Sequence, residues 1–193
     1  GPVDLNAVVA DAVDRLRLTA EDRGIALRVG GRVDAVVHGD QDQLMTAVRN
    51  LVDNAVRYSP EGTTVGIGLS SVDGLAQVTV TDQGIGISPE EQERVFERFY
   101  RGDTARDRDH GGSGVGLAIS RALIQAHGGT LSATSTTAGA TFTIDLPTKQ
   151  SPDQPTYRRT RSSTVNTGAP PLERYPRGVY TKRRGAVRRR PQT

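Results

Sequence analysis

Residues 43–59 read QLMTAVRNLVDNAVRYS, and the remainder of the chain is best understood from them outward. Leu44, Val48, Leu51 and Ala55 recur at helical spacing and form one apolar face. Asn50, Asn54 and Arg57 keep the same spacing on a neighbouring face, with Tyr58 one turn beyond Asn54. Asparagine is a mediocre helix former, so two of them in an apolar segment call for partners. Either they hydrogen-bond buried backbone nearby, or they face a ligand.

The chain has 193 residues, room for one domain and a tail. Its net charge of +3 hides a split. Residues 1–148 hold 13 Arg, no Lys and 20 acids (net −7), whereas residues 149–193 hold 12 Lys+Arg and 2 acids (net +10). With no cysteine there is no disulfide framework and no thiolate metal site, which fits a reducing compartment. No apolar run approaches 18 residues, and no signal peptide is legible. Gly1-Pro2 fits a protease-cleavage scar, so the chain reads as a fragment of a longer protein.

Asp4 is placed to cap a helix running to about Asp22, stopped by Gly24. Ile25, Leu27 and Val29 alternate as a strand, and residues 35–38 form a second short one. Asp40 caps the asparagine helix. Val65, Ile67 and Leu69, a turn at Asp73-Gly74, then Ala76, Val78 and Val80 predict a hairpin. Asp82 continues the second strand's inward phase, so it points at the buried face and needs donors. A glycine-rich loop follows at once, then a short helix expected from Ser88-Pro89 that carries residues 95–101. Residues 102–112 are dense in charge and read as a mobile loop. A helix through about Ala126 and strands at 131–136 and 141–146 complete the domain, with Pro147 closing it. Residues 148–193 read as a basic, disordered tail.

These pieces share a chemistry. A glycine loop before a helix, at 112–116, offers free N–H groups to a phosphate. Gly84 and Gly86 let a flat ligand approach backbone beside Asp82, whose carboxylate can accept from an exocyclic amine such as that of adenine. Asn50 and Asn54 offer neutral oxygens suited to Mg²⁺ on a phosphate chain. Arg57 and Arg101 are candidates to neutralise phosphate charge.

With these residues in place, the sequence resembles the catalytic ATP-binding domain of sensor histidine kinases. That superfamily is shared with DNA gyrase, mismatch-repair ATPases and a heat-shock chaperone. The N box matches NLVDNAVRY at 50–58, the first glycine box residues 82–86, the F box 95–101 and the second glycine box 112–117. The resemblance covers roughly residues 4–147. It implies an α/β sandwich of the Bergerat type, a mixed and mostly antiparallel sheet with helices on one face. It implies Mg²⁺ on Asn54 with Asn50 in support, adenine on Asp82, and phosphates facing Arg57 and Arg101. Tyr58, Gly84, Gly86, Ile87, Gly112, Ser113, Gly114, Val115, Gly116 and Leu117 complete the implied nucleotide site. Thr141 matches a hydroxyl that usually backs the aspartate.

In the hydrolytic branches a glutamate stands four residues before the metal asparagine and activates water. Here Asn50 occupies that position and cannot act as a general base. The resemblance therefore implies phosphotransfer, with Asn50, Arg57 and Arg101 as its catalytic residues. The acceptor is missing: His38, His110 and His127 all lack the His-Glu or His-Asp context of a phosphorylated histidine. The implied partners are a dimerisation and phosphoacceptor domain and a cognate response regulator, in a cytoplasmic portion of an inner-membrane protein. Two other readings stand beside this one, a nucleotide-binding module without transfer and an anti-sigma-factor-like serine kinase. The tail's arginines suit an anionic membrane surface, and the sparse aromatics beside them argue against specific nucleic-acid binding.

Overall fold

The computed structural model describes residues 1–100, 114–136 and 138–149. Seven strands form one sheet: β1 (Pro2–Val3), β2 (Ala26–Gly31), β3 (Val36–His38), β4 (Thr64–Val72), β5 (Leu75–Thr81), β6 (Thr130–Thr136) and β7 (Gly139–Lys149). Their order is β1-β3-β7-β5-β4-β2, with β6 also paired to β7. Every pairing is antiparallel except β2 with β4. Helices α1 (Leu5–Asp22), α2 (Gln41–Tyr58) and α3 (Gly116–Ala126) pack on the face that the inward strand residues cover. The mixed, mostly antiparallel sheet with one-sided helices is the architecture the resemblance implies.

Local chemistry accounts for most of the elements. Asp4 caps α1 by accepting from the N–H groups of Asn6 and Ala7, and Asp40 caps α2 by accepting from that of Gln43. The hairpin closes with Val72 opposite Leu75, leaving Asp73 and Gly74 at positive φ as a two-residue turn demands. In α2, Leu44, Val48, Leu51 and Ala55 are buried as their spacing predicts, with Ala47, Val52 and Val56 widening the stripe. They meet Val65, Ile67, Val78, Val80, Phe142 and Ile144 in one core.

The structure departs from expectation at four places. No helix starts at Ser88; turns lead instead to a single 3-10 turn at Arg94–Phe96, where Phe96 is buried and Val95 packs partly against the core. The last strand runs to Lys149, because Thr148 pairs with Val37 and donates twice to the Gly74 carbonyl. Pro147 stays inside that strand, opposite Leu75. The short β1 and the parallel pairing of β2 were not legible locally, since each depends on a distant partner. The expected loop at 102–112, His110 and nearly all of the basic tail lie outside the described residues.

His127 holds α3 against the start of α2. Its Nε2 accepts from the Asp40 N–H at 2.9 Å, and its Nδ1 lies 2.7 Å from the Leu123 carbonyl. An N–H can only donate and a carbonyl only accept, so the ring is the neutral Nδ1–H tautomer. His38, by contrast, is exposed at the end of β3. His127→Ala leaves both backbone groups without the ring, and we expect a loss of about 1–3 kcal/mol in urea unfolding. Unchanged stability would contradict the bridge.

Candidate functional site

The two asparagines of α2 do different things. The Nδ2 of Asn50 donates to the Gly116 carbonyl at 3.2 Å, so this side chain satisfies backbone across the helix pair. Ser120 Oγ reaches the same carbonyl at 2.9 Å within α3 and also lies 3.3 Å from the Ala47 carbonyl of α2, tying α3 down on α2. Asn54, one turn on, is half-buried and meets no hydrogen-bond partner among the described residues. Of the two alternatives for the pair, Asn50 takes the backbone one, and the Asn54 amide has no such partner among the described residues. Arg57 Nη2 pairs with Asp53 Oδ2 at 2.8 Å along the same helix, and the Arg57 carbonyl accepts from Arg23.

Asp82 sits at the end of β5 with only 4 % of its surface exposed. Its Oδ1 accepts from the Gly84 N–H at 2.8 Å and the Ala140 N–H at 3.2 Å. Desolvation raises its pKa above the ordinary aspartate range, and those two N–H groups only partly oppose the rise. Both bonds fall on Oδ1, and Oδ2 accepts from no donor among the described residues. Gly84 is required by close approach: a Cβ there would lie 2.6 Å from the Tyr58 carbonyl oxygen. The first glycine loop is thereby pressed against the end of α2. Gly86 adopts φ +74°, and the Ile87 N–H donates to Ser135 Oγ at 3.2 Å.

Thr141 is buried, and its hydroxyl lies 3.0 Å from that of Thr81, its partner across β5 and β7. The donor that reaches Asp82 from this strand is the preceding residue's N–H. Sequence reasoning missed Ala140, Ser135 and Gly139, where a Cβ would collide with the Asp82 carbonyl. The glycine that opens the last strand was the available signal.

The F box closes one side. Phe96 packs edge-on to Phe142, with ring centroids 6.3 Å apart, and Arg121 lies over the Phe96 ring. Tyr100 donates from its hydroxyl to Glu91, a bond that lowers the Glu91 pKa. The Phe99 N–H donates to the Gly114 carbonyl, joining the F box to the second glycine box. Val115 provides no side-chain cap to α3, and Leu117 packs against the core. Arg101, Gly112 and Ser113 lie outside the described residues.

The family described as "Histidine kinase-, DNA gyrase B-, and HSP90-like ATPase" matches residues 39–150. The chain is 46% identical over 146 residues to the sensor-like histidine kinase SenX3 of Mycobacterium tuberculosis. That match takes in 75% of this chain and 36% of SenX3, so the chain spans little more than a third of that relative's length. Among solved structures, the mycobacterial sensor histidine kinase MprB superposes with a TM-score of 0.68 at 37% identity, over 77% of this chain and 99% of that one. Full-length ShkA, solved in complex with AMPPNP, gives a TM-score of 0.67 at 27% identity, over 78% of this chain and 31% of that one.

The environment of Asp82 makes a pH-dependent prediction. A raised folded pKa means the folded chain binds the proton more tightly than the unfolded one, so this group's contribution to stability falls as pH rises through that pKa. Asp82→Asn removes the titration. In urea unfolding between about pH 4 and pH 8, the wild type should lose stability relative to the variant as pH rises. Parallel profiles would contradict the desolvated carboxylate.

Proposed function

Because this chain belongs to the histidine kinase-, DNA gyrase B- and HSP90-like ATPase family, as the catalytic ATP-binding domain of a sensor histidine kinase, we propose that it binds Mg²⁺–ATP beside α2 and donates the γ-phosphoryl group to a histidine on a separate phosphoacceptor domain. The observation that carries this reading is Asp82. A buried carboxylate is costly unless donors reach it, and only one of its oxygens has them. The exocyclic amine of adenine is a donor of the right kind, whereas guanine offers a carbonyl oxygen at the same ring position.

Bound ATP supplies the phosphoryl group, and Mg²⁺ offsets part of the triphosphate charge. The chain's own residues bind and orient. Asp82, with Gly84, Gly86, Ile87 and Thr141 around it, takes the base. Asn54 gives the metal a neutral oxygen, with Asn50 in support and Tyr58 closing the end of the helix. Arg57 and Arg101 face the phosphates, as does the glycine segment from Gly112 to Leu117. Asn50 has its amide nitrogen committed to Gly116, and an amide is no base at neutral pH, so no group there takes a proton from water. That favours transfer over hydrolysis.

His127, whose two ring nitrogens are both engaged, supports an acceptor elsewhere. The phosphoacceptor domain, the cognate response regulator and an inner-membrane anchor would belong to the remainder of the parent protein. No helix among the described residues is long and apolar enough to cross a membrane. The attraction of the basic tail to an anionic membrane surface rests on its charge alone.

Mixing the chain with its parent's acceptor domain and labelled ATP tests the reading. Acid-labile label should appear on the acceptor and none on this chain, with little phosphate released to solvent. Asn54→Ala should weaken Mg²⁺–ATP binding by roughly 1.5–3 kcal/mol in a titration calorimeter. Binding without transfer would make the chain a nucleotide-binding module instead.

A further inference from the structure

Arg23 is the first residue past α1, and its side chain crosses to the far end of α2. Its Nη2 donates to the Arg57 carbonyl at 3.0 Å. Its Nε is buried with no partner, and among the described residues no carboxylate pairs with this guanidinium. A half-buried guanidinium with one buried, unpartnered nitrogen needs a reason. The last carbonyls of a helix lack intrahelical partners and carry its negative end, so a cation there satisfies both. A second bond joins the same two segments, since the Gly24 carbonyl accepts from the Gly62 N–H in the turn after α2. The joint after α1 therefore braces the exit of the asparagine helix.

That exit carries the phosphate end of the site. Arg57 is held at its carbonyl by Arg23 and at its guanidinium by Asp53. The next carbonyl, that of Tyr58, abuts Gly84 in the loop that follows Asp82. We infer that Arg23 is a positioning residue for nucleotide binding: it fixes the last turn of α2 so that Arg57 is presented to the polyphosphate. This rests on the nucleotide reading above and adds a residue that lies outside all four sequence boxes.

The test titrates the 193-residue chain with two ligands. One is Mg²⁺–ATP, followed by calorimetry; the other is adenosine, followed by the Gly84 amide resonance. Arg23→Met should weaken Mg²⁺–ATP about tenfold and leave adenosine within about twofold, while Arg23→Lys, which keeps the charge and a donor, should lose only about threefold for Mg²⁺–ATP. A general loss of structure would weaken both ligands alike, and that outcome would overturn the inference, as would unchanged affinity for both. If Arg23→Met fails to fold, Arg23→Lys decides: affinity for Mg²⁺–ATP equal to wild type would overturn it. A wild-type chain that binds neither ligand would overturn the nucleotide reading itself.

Discussion

A carboxylate with almost no solvent can sit at the end of a strand only if backbone N–H groups are delivered to it, and the region around Asp82 is built to deliver them. One comes from Gly84, two residues on, because the chain turns back at the end of β5. The other comes from Ala140, because β7 runs antiparallel to β5 with Thr141 opposite Thr81. That register also closes the backbone bond from the Asp82 N–H to the Ala140 carbonyl. Side chains are excluded from Gly84 and Gly139, since a Cβ at either would strike a carbonyl oxygen. The result is one acid, short of donors by one oxygen, facing a surface of bare backbone.

α2 answers a second constraint, because it must bury one face and present another. Its apolar stripe locks it to the sheet, and side chains from elsewhere hold both of its ends. His127, from the end of α3, accepts the N–H of its capping residue. Arg23, from the end of α1, donates to a carbonyl of its last turn. Asn50 adds a clamp at mid-helix, onto the first residue of α3. Asn54 and Arg57 are thus carried on a helix fixed along its length, which suits the proposal that they meet a ligand without rearranging.

The parts of this arrangement that rest on local periodicity were legible in the sequence. Alternation along residues 76–80 was enough to turn Asp82 inward, and helical spacing was enough to place the asparagines on one face. The hairpin turn followed from Asp73-Gly74. What escaped were consequences of distant pairing. The donor from β7 proved to be the N–H of Ala140, while the Thr141 hydroxyl pairs with Thr81, a difference of one residue that only the strand register decides. The Ser88 helix did not form because the stretch 88–93 has no inward apolar face to hold it, and the anchors, Ile87, Val95 and Phe96, lie outside that stretch. Arg23 and His127 gave no signal, since each acts on a residue more than thirty positions away.

The central claim is that Asp82 selects a ligand by accepting a hydrogen bond from its exocyclic amine. The most direct measurement compares Mg²⁺–ATP with Mg²⁺–inosine triphosphate on the wild-type chain. The two nucleotides share sugar, phosphates and ring shape, and inosine replaces the amine with a carbonyl oxygen. A calorimetric titration should find the inosine nucleotide weaker by at least about tenfold, since it turns an acceptor toward a buried acceptor. Equal affinity for the two would contradict the account.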